Sequence, residues 1–390
     1  MMKKEQPLFI RILIVLLIVI AAVRVDFACL RIGTAIIGID YADYYATGRM
    51  VIDGNIGQIY NMEAHHAVLE SLFGKIPYLL EWIYPPTFLL PIVPLSYLPF
   101  HASLAVWLVL SFIPAALAVY FLTGKNKYAP ICLLAFPGTF LNIRWGQNGF
   151  LTAALFGFGV YFVESNPMLA GLMFGLLTFK PQMAIFPFII LFFTKKWKAF
   201  GWSAFFAAAF AVLTGLLFGF QTWIDFFSTS LYNAQQLSAS WEATNWGIPT
   251  LSTALRVMGL NGWGLTLALT AVAAFAIYCC VRVWKQTQSY SLRLMALVLC
   301  LFLSFPYVSL YDFAIMGVPF TLLFFETQKN PKRSFSPLLL CLLWVLPFLC
   351  VLIFMKLKLQ LCPFVLMGYL IAVVQKANQD AAVLKIPHSV

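Results

Sequence analysis

The sequence predicts an all-α, polytopic transmembrane protein, and three observations carry that prediction. Hydrophobic residues fill 62% of the 390 positions and charged residues 10%, with a mean hydropathy of +0.89, which is more apolar surface than a soluble domain can bury. The apolar residues stand in long runs without strand-like alternation, so each run must satisfy its backbone hydrogen bonds internally, as a helix. Basic residues cluster between those runs, the pattern of loops kept on the cytoplasmic side. The chain reads as a single membrane domain, 1–390.

The first run, 8–28, follows Lys3 and Lys4, and its end (Arg24-Val25-Asp26-Phe27-Ala28-Cys29) lacks a small-x-small cleavage pattern. It is expected to be an uncleaved first span that delivers 29–83 to the outer side as a water-facing loop. Segment 84–99 carries Pro85, Pro86, Pro91, Pro94 and Pro99, which would interrupt a helix repeatedly, so it is expected to be re-entrant or interfacial. Full crossings are expected near 101–123, 128–143, 149–163, 167–179, 181–194, 199–219, 262–284, 291–310, 312–326, 336–355 and 359–375, with a second external loop at 220–261. This arrangement keeps Lys195, Lys196, Lys198, Arg282, Lys285, Arg293, Lys329, Lys332 and Arg333 inside. It gives about twelve crossings with both termini inside, leaving Lys356 and Lys358 as exceptions.

Several function classes are disfavoured. The cysteines are scattered in apolar runs, apart from the adjacent Cys279 and Cys280, and read as small core residues. No Cys-x-x-Cys or His-x-x-x-His spacing occurs among them and the histidines (His65, His66, His101, His388), so no metal site is expected. The net charge of +11 is explained by topology rather than by a nucleic-acid surface.

The polar residues are where chemistry is expected. Only 14 residues are Asp or Glu, yet Asp40, Asp43, Asp53, Glu63, Glu70 and Glu81 all fall in 29–83. Asp40 opens the run Asp40-Tyr41-Ala42-Asp43-Tyr44-Tyr45, and its bland reading is a solvated loop acid or a helix cap. Tyr84, Arg144, Gln147, Asn148, Lys180, Gln182, Trp246, Arg256 and Asp312 fall at expected outer ends of spans or in the outer loop that follows one. Ionisable groups at membrane depth are costly and face polar interiors, partners or substrate paths. For each one alone, headgroup snorkelling or a structural ion pair is an even alternative.

Asp40-Tyr41-x-x-Tyr44-Tyr45, Asp53-Gly54-Asn55 leading to Ile59-Tyr60-Asn61, Tyr84-Pro85-Pro86 with Pro94-Leu95, Gly146-Gln147-Asn148, Ala170-Gly171-Leu172 to Lys180-Pro181-Gln182, and Tyr311-Asp312 occur in that order. Together they resemble glycosyltransferase family 87 of the GT-C superfamily. Asn61 stands where the family tends to have an acid, and Asp43 supplies a second carboxylate beside the expected one.

The resemblance implies a GT-C membrane hexosyltransferase, mannosyltransferase-like, that takes its sugar from a polyprenyl-phosphate donor and passes it to a lipid or glycan acceptor outside the cell membrane. It implies Asp40 as the catalytic base. A carboxylate can take the acceptor proton, and Arg144, Lys180 or Arg256 can offset charge on the leaving phosphate. Tyr44, Tyr45, Tyr84 and Trp246 offer flat faces for sugar rings, while Gln147, Asn148 and Gln182 offer amides for hydroxyls; Asp43 and Asp312 complete the expected substrate-binding set. One base opposite the leaving group implies inversion. No cofactor and no metal are expected. A lipid-linked sugar flippase or transporter, or a polysaccharide polymerase or ligase, is the alternative.

Overall fold

The computed structural model describes the backbone of residues 38–75, 80–239, 247–329 and 335–384, and the side chains of the same residues except 231–239, 383 and 384. The expected first span, Trp246 and the basic residues Lys332 and Arg333 lie outside the described residues. Among the described residues all regular structure is helical.

The stretch expected as a water-facing loop is a pair of helices, α1 (Ile39–Ile52) and α2 (Met62–Phe73), joined through a 3-10 turn at Ile56–Gln58. Helix α1 has Asp40 in its first turn and Arg49 in its last, each on the side the helix dipole favours. Arg49 pairs with Asp53 at 2.9 Å. Asn61, at the position where an acid was expected, caps α2 by accepting the Ala64 N–H at 3.0 Å.

Pro86–Phe88 forms a 3-10 turn that runs into α3 (Leu89–Leu95). Together they extend about 15 Å, half of a hydrocarbon core. Helix α4 (Phe100–Leu122) follows. The span expected at 128–143 is broken into α5 (Ala129–Leu134) and α6 (Pro137–Trp145), because Pro137 starts a new helix at its first turn.

Next come α7 (Gly149–Phe162), α8 (Pro167–Leu176) extended by a 3-10 turn at Leu177–Phe179, α9 (Pro181–Phe193) and α10 (Trp197–Phe218). The expected external loop at 220–261 contains α11 (Gln221–Ala239) and α12 (Leu251–Val257). Then follow α13 (Gly262–Gln286), α14 (Tyr290–Ser304), a 3-10 turn at Leu310–Asp312, α15 (Phe313–Lys329), α16 (Pro337–Leu357) and α17 (Cys362–Leu384).

Among the described residues five helices are long and apolar enough to cross a membrane: α4, α10, α13, α15 with its leading 3-10 turn, and α16. Helix α14 is buried from Ser291 to Leu303, and α15 from Phe313 to Leu323, so these two form the centre. Helices α10 and α13 turn apolar side chains outward, among them Leu216 and Trp263, as lipid-facing surfaces do.

At one end of the bundle Glu164 receives Lys196 at 2.6 Å and Arg293 at 2.8 Å. Arg293 is 1% exposed and also donates to the carbonyls of Thr287 (2.8 Å) and Trp284 (3.0 Å). This cluster ties together the turns α7–α8, α9–α10 and α13–α14. Helices α7, α8–3-10, α9 and α14 all run from it, in one direction or the other, to the opposite end.

A candidate active site at the opposite end of the bundle

Four chain junctions meet there: the start of α1, the α6–α7 turn, the start of α9 and the turn before α15. Gly146 ends α6 in the left-handed region, φ +69°, where a Cβ is disfavoured; a Cβ there would also stand 2.6 Å from Tyr41 Cβ. Trp107 Nε1 donates to the Gly146 carbonyl at 3.0 Å. This turn presents Gln147 and Asn148 to α1. Gly138 lets α6 lie directly on the start of α15, since a Cβ at that position would meet the Phe313 carbonyl carbon at 2.5 Å. The Ser309 N–H donates to Asp312 Oδ2 at 3.0 Å, which fixes that carboxylate in a capping box.

The side chains form one connected lattice. Gln147 Nε2 donates to Asp40 Oδ2 at 2.8 Å. Gln147 Oε1 accepts from the Tyr44 hydroxyl at 2.5 Å, the Tyr84 hydroxyl at 3.2 Å and the Asn148 backbone N–H at 3.3 Å. Asn148 Nδ2 donates to the Tyr44 and Tyr84 hydroxyls at 3.0 and 2.9 Å. Lys180 Nζ donates to Asn148 Oδ1 at 3.3 Å and to Asp312 Oδ1 at 2.6 Å, and lies 5.6 Å from the centre of the Tyr311 ring. Lys180 is 4% exposed and Asp312 3%.

Asp40 is no solvated loop acid. Loss of water raises its pKa from the ordinary carboxylate range to about 7, against the pull of the Gln147 hydrogen bond and the Lys180 charge. A carboxyl poised there is ionised for a useful fraction of molecules at neutral pH and takes a proton readily, the condition for a general base. Burial likewise pushes the Tyr44 and Tyr84 phenols up, so both are protonated donors.

Asp43 faces the other way. Its Oδ1 is 3.2 Å from His65 Nε2, and His65 Nε2 is 3.0 Å from Thr47 Oγ1. Desolvation raises the Asp43 carboxyl well above its usual range and lowers His65 to about 4. Both shifts disfavour a charged pair at this buried position. Sequence reading missed His65, and also Trp107, which holds the Gly146 turn and whose ring centroid lies 6.3 Å from that of Tyr44.

The other expected residues divide. Tyr45 leaves the lattice; its hydroxyl donates to the Leu98 carbonyl and its ring packs on Phe73 and Phe100, so the expectation of a sugar platform there is corrected. Arg144 is half-buried in the last turn of α6, and its carbonyl receives the Gly38 N–H at 2.8 Å, which sets it beside the start of α1. Gln182 is half-buried in the first turn of α9. Arg256 lies in the last turn of α12, a segment tied to the turn before Asp312 by the Thr250 hydroxyl, which donates to the Pro306 carbonyl at 3.0 Å. Trp246 lies outside the described residues.

A helical membrane protein with a half-buried carboxylate held at the end of a buried polar lattice has the architecture of an integral membrane enzyme. The family follows from the sequence match: the model of glycosyltransferase family 87 matches residues 82–309, more than half of the chain, and the chain belongs to that family. The match takes in Tyr84, Gln147, Asn148 and Lys180; it begins after Asp40 and stops before Asp312, which the lattice joins to it. No curated protein and no solved structure matches the chain.

Proposed function

We propose that this glycosyltransferase moves a hexose, mannose-like, from a polyprenyl-phosphate sugar to a lipid or glycan hydroxyl at the outer face of the cell membrane, with inversion. The observation that carries the reading is Asp40: a carboxylate with a raised pKa, held by one carboxamide at the junction of four chain segments. In this scheme Asp40 removes the acceptor hydroxyl proton as the oxygen attacks the anomeric carbon. The bond from that carbon to the phosphate oxygen breaks, and the lipid phosphate leaves with the electron pair.

The developing phosphate charge is assigned to Arg144 rather than Lys180. Arg144 lies half-buried beside the start of α1, and its guanidinium can fork onto phosphate oxygens where the Lys180 ammonium cannot. The chemistry needs neither a cofactor nor a metal. Purified protein incubated with a panel of polyprenyl-phosphate sugars and lipid acceptors is expected to release free polyprenyl phosphate. Movement of the intact lipid-linked sugar across the bilayer without that release would favour a flippase instead.

A further inference from the structure

Apart from a cross-link between the Tyr44 and Tyr84 hydroxyls at 2.8 Å, the hydrogen bonds of the lattice run one way. Lys180 is an ammonium and can only donate, so Asn148 must turn its oxygen to Lys180 and its nitrogen to the tyrosines. The Asn148 backbone N–H also can only donate, so Gln147 must turn its oxygen toward it and its nitrogen toward Asp40. Each phenol oxygen therefore accepts from Asn148 Nδ2, and the phenol protons go on to Gln147 Oε1 either directly or through the other hydroxyl, the two lying 2.8 Å apart. Donation proceeds without reversal from a cation to a carboxylate, and in a buried chain of this sense each bond polarises the next.

We propose that Lys180, Asn148, Tyr44, Tyr84 and Gln147 act as a one-directional hydrogen-bond relay that orients Asp40 and sets its readiness to take a proton. They are positioning residues, and the proposal rests on the reading of Asp40 as base. Lys180 is thus the head of the relay rather than a phosphate ligand. Tyr44 and Tyr84 each bridge Asn148 to Gln147 and are joined to each other, so loss of either hydroxyl leaves one path and loss of both breaks it. The two phenols are packed edge to face at 5.3 Å between centroids, and Trp82 and Phe88 hold the Tyr44 ring from the side, so phenylalanine can take either place without moving the backbone.

Other charges reach Asp40. Lys180 lowers and Asp312 raises its pKa, Asp40 and Asp43 repel across one turn of α1, and Tyr307 and Tyr311 feel its charge from the turn before α15. His65 and His66 lie on α2 and Arg144 on α6, both packed on α1. None of these is altered by removing the two hydroxyls, which isolates the relay.

The test needs no substrate. Full-length protein in detergent is titrated while the infrared band of protonated carboxyl groups is followed, and the Asp40 component is identified as the one that Asp40→Asn removes. In the Tyr44→Phe, Tyr84→Phe double variant its midpoint is expected to rise by about one pH unit, with each single variant moving it less. Lys180→Met combined with Asp312→Asn, which removes both charges so that neither is left buried alone, is expected to move it in the same direction. A midpoint that stays in place in both double variants would overturn the relay and reduce the lattice to packing. Transfer by Asp40→Asn at the wild-type rate would instead overturn the base assignment, whatever the titration shows.

Discussion

Gln147 and Asp40 stand 107 positions apart and meet at 2.8 Å, amide nitrogen to carboxylate oxygen. That bond joins the helix following the expected first span to the part of the chain that carries the family match, and it fixes what the carboxylate experiences. The Gln147 donor and the Lys180 charge steady the ionised form, while loss of water opposes it more strongly.

Transfer is therefore expected to rise with pH through about 7, since a base acts only in its ionised form and the raised pKa places half-ionisation there. The acidic limb of kcat/KM against pH checks this. A limb near the ordinary carboxylate range would mean that another group is the base. Asp40→Asn is expected to abolish transfer without lowering thermal stability, because the substitution removes a charge that burial penalises.

Asp43→Asn is expected to fold normally and to keep most activity. Burial disfavours charge on both Asp43 and His65, and an amide has nearly the shape of the carboxyl. His65→Leu should be harsher than Asp43→Asn, since it leaves Asp43 and Thr47 without the ring nitrogen at a buried position, at a cost of about 1 to 3 kcal/mol. A denaturation midpoint and a single-point assay decide both. An inactive, well-folded Asp43→Asn protein would exchange the roles of the two acids.

Arg144→Gln is expected to lower turnover or donor affinity at least about tenfold, the effect of losing a charge-assisted bond worth roughly 1.5 kcal/mol or more. Arg144→Lys should recover only part of it, because an ammonium does not fork. Wild-type kinetics in Arg144→Gln would move the phosphate to Arg256.

Gly138→Ala is expected to cost activity more than expression. The added carbon meets backbone atoms of Phe313 and Ala314 at 2.5 and 2.7 Å, and main chain yields poorly. The shift separates α6 from the turn that carries Asp312, so the Lys180 and Asn148 contacts stretch. An unchanged kcat in Gly138→Ala would show that this spacing is not critical.

Much of the site was legible because charge is so scarce in this chain. Asp40, Arg144, Gln147, Asn148, Lys180 and Asp312 each stand at the edge of an apolar run, where a polar residue needs a reason, and the motifs of the family run through the same places. What sequence left hidden is side-chain direction. Tyr44 and Tyr45 read alike, yet on a helix neighbours point about 100° apart, so one enters the lattice and the other packs on Phe100. His65 and His66 are adjacent too; one is 1% exposed and the other half-buried beside Glu70 at 3.5 Å, and α2 shows no apolar run to tell them apart. The helical state of 39–52 was hidden because the helix is buried on most of its sides, with Asp43, Tyr44 and Thr47 buried beside Ile39, Ala42 and Met50, so no apolar stripe at helical spacing stands out.

The short helices beside the site have a consequence for depth. Helices α7, α9 and α14 contain 14, 13 and 15 residues, about 20 to 23 Å of rise against a hydrocarbon layer of about 30 Å. Their far ends are pinned by Glu164, Lys196 and Arg293, charges that belong at the headgroup level. Each of these helices is thus some 7 to 10 Å shorter than a full crossing, and the shortfall lies at the end that carries the Asp40 lattice. On the proposed reading, a donor carried on a lipid tail would meet Asp40 from within its own monolayer and would not have to leave it.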